Sequence, residues 1–133
     1  MDEKQQELIY QLSILQQQAQ QIQEQLQLVE QNVSDLNSIS DGLNELKDKK
    51  DSEMLAPLGR GIFIKAKILS EELTVDIGKK NFVKKSIPET QEIVAIQIEK
   101  IEQIKEQLLD ELDKINNQLL TLINTAERDD KEK

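Results

Sequence analysis

Starting at Leu8, apolar residues fall at Leu8, Leu12, Leu15, Ala19, Ile22, Leu26, Val29, Val33 and Leu36, in alternating steps of four and three. This is a heptad seam, and a helix that carries one must lay it against a partner helix. The residues between are mostly Gln and Glu, good helix formers with polar heads. A Gln-rich tract can instead form a disordered, aggregation-prone segment; the unbroken heptad favours the helix. Beyond Leu36 the apolar residues are Ile39, Leu43 and Leu46, so the stripe slips by one position and crosses Gly42. A loosened or overwound coil is expected there. Helix signals fade near Lys50 and Asp51.

A second seam occupies the other end of the chain: Val94, Ile98, Ile101, Lys105, Leu108, Leu112, Ile115, Leu119, Leu122 and Ala126, with Lys105 its one polar member. Ser86-Ile87-Pro88-Glu89 opens it as a candidate capping box, with Pro in the first turn where its missing N–H costs nothing. The end is expected to fray from Glu127 into a solvated mixed-charge tail. Two seams on one chain predict an antiparallel coiled-coil hairpin rather than a parallel dimer. If Leu12 faces Leu122, then Leu15 meets Leu119, Ala19 meets Ile115, Ile22 meets Leu112 and Leu26 meets Leu108. A shift by a whole heptad would preserve the pattern, so this register is the preferred one among several. It sets Lys105 beside Val29 and brings both chain ends to one tip. At about 1.5 Å per residue, roughly 40 residues make an arm on the order of 60 Å long.

The middle changes period. Ile62, Ile64, Ala66 and Ile68 alternate with Phe63, Lys65 and Lys67, and Leu73, Val75 and Ile77 alternate with Thr74 and Asp76, both strand patterns of period two. Asn81 to Ser86 follows Gly78-Lys79-Lys80, which makes a hairpin with the strand before it. Met54-Leu55-Ala56 can pair with the strand from Ile62 across Pro57-Leu58-Gly59-Arg60-Gly61, giving another. Four short strands cannot bury both faces or cover their own edges, so they call for strands from other chains. Three segments result: a coiled-coil helix over 1–52, two oligomerising β-hairpins over 53–86, and a coiled-coil helix with a charged tail over 87–133.

Composition narrows the chemistry. The chain holds 26 acidic and 17 basic residues, a net charge of −9, and no His, Cys or Trp. Zinc fingers, iron–sulfur sites, thiol nucleophiles and His-based proton transfer all need residues that are missing. Disulfides are impossible, which fits a reducing compartment. No apolar run approaches the roughly 20 residues that span a bilayer, and the N-terminus is polar, so a cytoplasmic protein is expected. Gly59, Gly61 and Gly78-Lys79 do not complete a phosphate-binding loop, and Asp41-Gly42 lacks the rest of a calcium loop. Paired carboxylates such as Glu71 and Glu72, or Asp129 and Asp130, have no apolar pocket to shift their pKa. No enzymatic activity, cofactor or metal is expected. The segment from Pro57 to Ser86 carries seven basic residues against three acidic ones, leaving −13 for the rest of the chain, nearly all of it on the helices. RNA binding by this basic sheet is a possible reading, but only Phe63 and Phe82 could stack on bases. Polar outer faces and protected edges account for the lysines better.

The run Met54-Leu55-Ala56-Pro57-Leu58-Gly59-Arg60-Gly61-Ile62-Phe63-Ile64-Lys65-Ala66, then Val75-Asp76-Ile77-Gly78 and Phe82-Val83-Lys84-Lys85-Ser86, set between two long helices, resembles the alpha subunits of the prefoldin family in their archaeal form. The likeness covers almost the whole chain. Its most specific part is the Pro-Leu-Gly-x-Gly turn with the hairpins around it. Lys79-Lys80-Asn81 stands where family sequences often carry small residues, which leaves the second turn's geometry open. The resemblance implies an α+β fold, mostly α: a long antiparallel coiled-coil hairpin with two short β-hairpins at its base, forming an oligomeric β-barrel. It further implies a hexamer of two alpha and four beta subunits, an ATP-independent chaperone that captures unfolded or nascent proteins at its tips and delivers them to a group II chaperonin. Nucleic acid and membrane are not among the expected partners.

The tip is where client binding is expected, at Leu8, Ile9, Tyr10, Leu12, Leu119, Leu120, Leu122 and Ile123, with Ala126 alongside. Ile9, Leu120 and Ile123 lie beside the seam or outside it. A two-helix arm cannot cover a stripe wider than its seam, so these side chains stay partly in water. The bland alternative is that they only broaden the seam at a fraying end. Oligomerisation is expected through Ile62, Phe63, Ile64, Ile68, Leu73, Val75, Ile77, Phe82 and Val83. Ile93, Ile96 and Ile104, off the seam nearer the sheet, are expected to pack on the barrel or a neighbouring arm. The competing function is a structural tether or scaffold whose coiled coil acts only as a spacer.

Overall fold

The computed structural model describes residues 2–131, with side chains through Arg128. In chain order the elements are α1 (Glu3–Leu46), β1 (Glu53–Gly59), β2 (Ile62–Lys67), β3 (Leu73–Asp76), β4 (Phe82–Lys85) and α2 (Ile87–Lys131). The segment from Glu127 expected to fray stays helical to Lys131, and the last two residues of that expected tail lie outside the described residues. The carboxylates of Asp129 and Asp130 lie beyond the described side chains. The chain divides into two compact units, one holding the residues up to Val33 with those from Lys100 onward, the other Ser34–Glu99.

In the first unit the two seams meet. Ile22, Leu26 and Leu108 are buried together, with Val29, Leu112 and Ile115 packed around them. Each such side chain taken out of water contributes about 1.5–3 kcal/mol. Lys105, the polar member of its seam, is half-buried, and its Nζ lies 3.8 Å from a Glu30 carboxylate oxygen. Its aliphatic stem therefore fills a seam position while the ammonium reaches water and a counter-charge. The pair also marks the register, because sliding one helix by a heptad would move Lys105 about 10 Å along the axis. It agrees with the pairing of Leu26 with Leu108 and of Ile22 with Leu112.

In the second unit Leu43, Ile87 and Val94 form the core, with Leu36, Leu46, Leu73 and Ile98 against it. Asn44 Oδ1 accepts a 2.7 Å hydrogen bond from Gln91 Nε2, so the same register holds here. The stripe does not slip at Ile39 as expected, although Leu43 and Leu46 of the expected stripe do pack in this core. α1 passes through Gly42 without a break, Ser40 takes the half-buried seam position, and Ile39 remains 50% exposed. The heptad continues through a serine because its neighbours on either side, half-buried Leu36 and buried Leu43, hold the helix face in place. α1 stops at Leu46, where Asp48 takes φ 60° and Asp51 φ 70°. Asp tolerates this left-handed region better than most residues. The Asp48 N–H donates to Glu71 Oε1 at 2.6 Å, and Asp51 N–H donates to the Ile68 carbonyl at 2.7 Å, tying the segment after the helix to the connection between β2 and β3.

The capping box forms as the sequence predicts. Ser86 Oγ accepts from the Glu89 N–H at 3.2 Å, and Glu89 Oε1 accepts from the Ser86 N–H at 3.2 Å and its hydroxyl at 3.0 Å. These bonds hold the Glu89 carboxyl below its usual pKa, the Ser86 backbone N–H contributing most. Directly inside the cap, Ile87 is 2% exposed, the most completely buried large side chain among the described residues.

The strands form two separate two-stranded antiparallel sheets, β1 with β2 and β3 with β4. The first hairpin is tighter than the sequence implies. Pairing runs on from Met54–Ala66 through Pro57–Phe63 to Gly59–Ile62, with Leu58 bulged out. The loop shrinks to Arg60 and Gly61, at φ 50° and 79°. Pro57 is accommodated beside a bulge, where a missing N–H does least harm. The second turn, left open by the sequence, places both Lys79 (φ 51°) and Lys80 (φ 62°) in the left-handed region, closed by a 3.0 Å bond from the Asn81 N–H to the Gly78 carbonyl. This is the backbone of a type I′ hairpin turn, normally built from Asn and Gly. No closed barrel exists among the described residues of the single chain.

Candidate functional site: paired helix ends and open hairpins

Two regions expose apolar side chains beyond what their own packing uses. The first is built on the terminal ends of α1 and α2. Asp2 caps α1, its Oδ1 accepting from the Gln5 N–H at 2.8 Å. Leu8, Leu12, Leu119 and Leu122 then lie half-buried on the seam. Beside them Ile9 is 50% exposed, Leu120 58% and Ile123 43%, and Tyr10 is exposed as well. The structure thus separates the eight tip residues into four that close the helix pair and four that it leaves in water.

Ile14 was missed by sequence reasoning. It is exposed, and with Gln11, Leu15, Asn117 and Leu122 it lines an open groove of about 510 Å³. Its signal was available: an apolar residue immediately before the seam position Leu15. The hydroxyls near this groove are already used within α2, Thr121 Oγ1 donating to the Asn117 carbonyl at 3.0 Å and Thr125 Oγ1 to the Thr121 carbonyl at 2.9 Å. What remains is an apolar surface interleaved with side-chain amides. Such a surface can bury apolar segments of another chain, each side chain contributing roughly 1–2 kcal/mol before ordering costs.

The second region is the hairpins. Of the residues expected to oligomerise, Ile62, Phe63, Ile64, Ile77 and Phe82 are exposed, whereas Ile68, Val75 and Val83 are half-buried. Leu73 is half-buried too, spent on its own chain's core against Leu43, Ile87 and Val94. Leu55, Leu58 and Leu69, not singled out beforehand, are exposed as well. Two-stranded sheets of this kind are marginal alone, and their outer strands present unpaired backbone groups. Ile96 and Ile104 on α2 are exposed within the single chain, while Ile93 is half-buried. The cations on the hairpins make local pairs, Lys65 with Glu53 at 3.1 Å and Lys84 with Glu72 at 3.4 Å. Exposed pairs of this type add little stability, at most about 1 kcal/mol.

Among the described residues there is no cluster of acidic side chains that could hold a metal ion, and no helix long and apolar enough to cross a membrane. The helix ends offer apolar contact and side-chain amides, and the hairpins offer apolar contact and unpaired backbone groups.

Known proteins resemble this chain over most of its length. The family model described as "Prefoldin subunit" matches residues 15–132. The prefoldin subunit alpha of Methanobrevibacter smithii is 27% identical over 123 residues, spanning 92% of this chain and 84% of that one. That of Thermofilum pendens is 27% identical over 117 residues, 86% of this chain and 91% of its own. Among solved structures, the cryo-EM structure of filamentous PFD from Methanocaldococcus jannaschii superposes with a TM-score of 0.52, covering 94% of this chain and 99% of that one. At 17% identity, this last likeness speaks to the fold.

Proposed function

The chain belongs to the prefoldin family, a family of chaperones, and on that footing we propose that it is an alpha-type subunit of an ATP-independent holdase that binds unfolded or nascent proteins at its paired helix ends. Its hairpins join those of beta-type subunits, two alpha with four beta, in a shared β-barrel. The assembly works in the cytoplasm, needs no cofactor, and hands its clients to a group II chaperonin.

One observation carries this reading. Leu8, Leu12, Leu119 and Leu122 supply the seam at the helix ends, yet Ile9, Leu120 and Ile123 stand beside it in water. Exposed apolar side chains that do not help close their own helix pair are suited to bury apolar stretches of another chain. A single pair of helices holds such a stretch weakly. Several pairs on one assembly hold it usefully through effective concentration.

Replacing Ile9, Leu120 and Ile123 together with Ser tests the proposal. Helicity and assembly size should be unchanged, while suppression of aggregation of a chemically denatured client is lost. Undiminished suppression would favour the tether or scaffold reading, in which the helices serve only as spacers.

A further inference from the structure

From Leu8 to Gln23, α1 contains no charged side chain, and from Ile115 to Ala126 α2 contains none either. Elsewhere the chain is heavily charged, with 32% Asp, Glu, Lys and Arg overall and nine charged residues between Glu99 and Lys114 alone. The helix register lays the two uncharged stretches side by side, as the shared groove walls Leu15 and Leu122 show. The ion pair of Glu30 and Lys105 lies outside both stretches. A neutral band about 12 residues long on each helix, on the order of 18 Å, is therefore built into the paired ends.

Resting on the holdase reading above, we infer that this band selects client segments by local charge: it captures stretches in which apolar residues alternate with uncharged polar ones, whatever the net charge of the client. The groove offers side-chain amides at Gln11, Asn117 and Gln118 and apolar walls at Ile14, Leu15 and Leu122. A Ser, Thr, Asn or Gln of a client can exchange its water for these amides at small net cost. A Glu or Lys drawn against the same surface loses hydration and finds no counter-charge. Discrimination thus comes from a penalty on the wrong segment rather than from an added contact with the right one. Without charge at the contact, screening by salt has little to act on.

The test uses the full chain in the assembly it forms, with two fluorescent peptides of roughly 15 residues that share identical Leu, Ile and Phe positions. One peptide has Ser and Gln as spacers; the other alternates Glu and Lys, so both are neutral overall. The uncharged peptide should bind about tenfold tighter, with an affinity that changes less than about twofold between roughly 50 and 500 mM KCl. Introducing Gln11→Lys with Gln118→Lys should raise affinity for a Glu-spaced peptide by about tenfold and make that binding salt-sensitive. Equal binding of the first two peptides overturns the inference and leaves the holdase reading standing. Failure of both to bind, with a denatured client also left to aggregate, overturns the two together.

Discussion

The paired helix ends and the hairpins both leave apolar side chains in water, but for different physical reasons. At the helix ends every backbone group outside the terminal turns is satisfied inside its own helix, and the seam is occupied by Leu8, Leu12, Leu119 and Leu122. What is exposed there is surplus side chain. In the hairpins the backbone itself is incomplete, since each sheet stops at two strands while Ile62, Ile64 and Phe82 remain exposed. Surplus side chains can stay in water indefinitely at little cost. Unpaired strand edges invite another strand. The comparison teaches that exposed apolar area alone does not tell a transient contact from a permanent one; the state of the backbone beneath it does.

The contrast can be broken most severely at the hairpins. Replacing Phe63 and Phe82 with Asp should abolish assembly, leaving single-chain particles on size-exclusion chromatography, and client capture should fall with it because the avidity is gone. A variant that still assembles would place the interface elsewhere. Next in size, Ile87→Ala removes the most buried side chain, from beneath the contact between Leu73 of β3 and the helices. It should cost about 2–5 kcal/mol in thermal or denaturant unfolding. Amide exchange should loosen first within Ser34–Glu99 and leave the residues around Ile22 and Leu108 protected.

A smaller effect sharpens the same boundary. Ser86→Ala deletes the hydroxyl half of the capping box and should cost about 1 kcal/mol. The Glu89 carboxyl is held below its ordinary pKa by Ser86, so the cap's ionic share of stability is present above the usual carboxylate range and is lost as pH falls through it. The pH dependence of unfolding across that window should flatten only in part in the variant, because the Ser86 N–H, the larger of the two contributions, is retained; a series of melts would detect the change. Smallest of all, Lys80→Gly relieves a left-handed residue in the β3–β4 turn and should stabilise the chain by roughly 0.5 kcal/mol. A destabilised Lys80→Gly variant would mean that the lysine side chain makes a compensating contact.

Much of this architecture was legible from residue spacing. The helix seams, the capping box at Ser86 and Glu89 and the β3–β4 hairpin each rest on short-range rules that a sequence displays directly. Three features were hidden because a neighbour decides them. Ser40 sits on the seam only because Leu36 and Leu43 carry the helix face across it, so a count of apolar residues chose Ile39 instead. The bulge at Leu58 and the tight Arg60-Gly61 turn depend on where β2 pairs, and Pro57 looked like the start of a loop. Lys79 and Lys80 adopt a turn that favours Asn and Gly, imposed by the register of β3 on β4. At the helix ends, Ile9, Leu120 and Ile123 were visible as off-seam residues, whereas Ile14 emerged only once the groove beside Leu15 and Leu122 had a shape.

Native mass measurement of the full chain, expressed alone and together with a beta-type subunit, tests most directly whether the open hairpins make this polypeptide dependent on other chains. The account predicts that co-expression yields a discrete multi-subunit particle containing both proteins, and that the strand amides of β1 to β4 gain exchange protection within it. A single-chain species under both conditions, with those amides already protected, would contradict it.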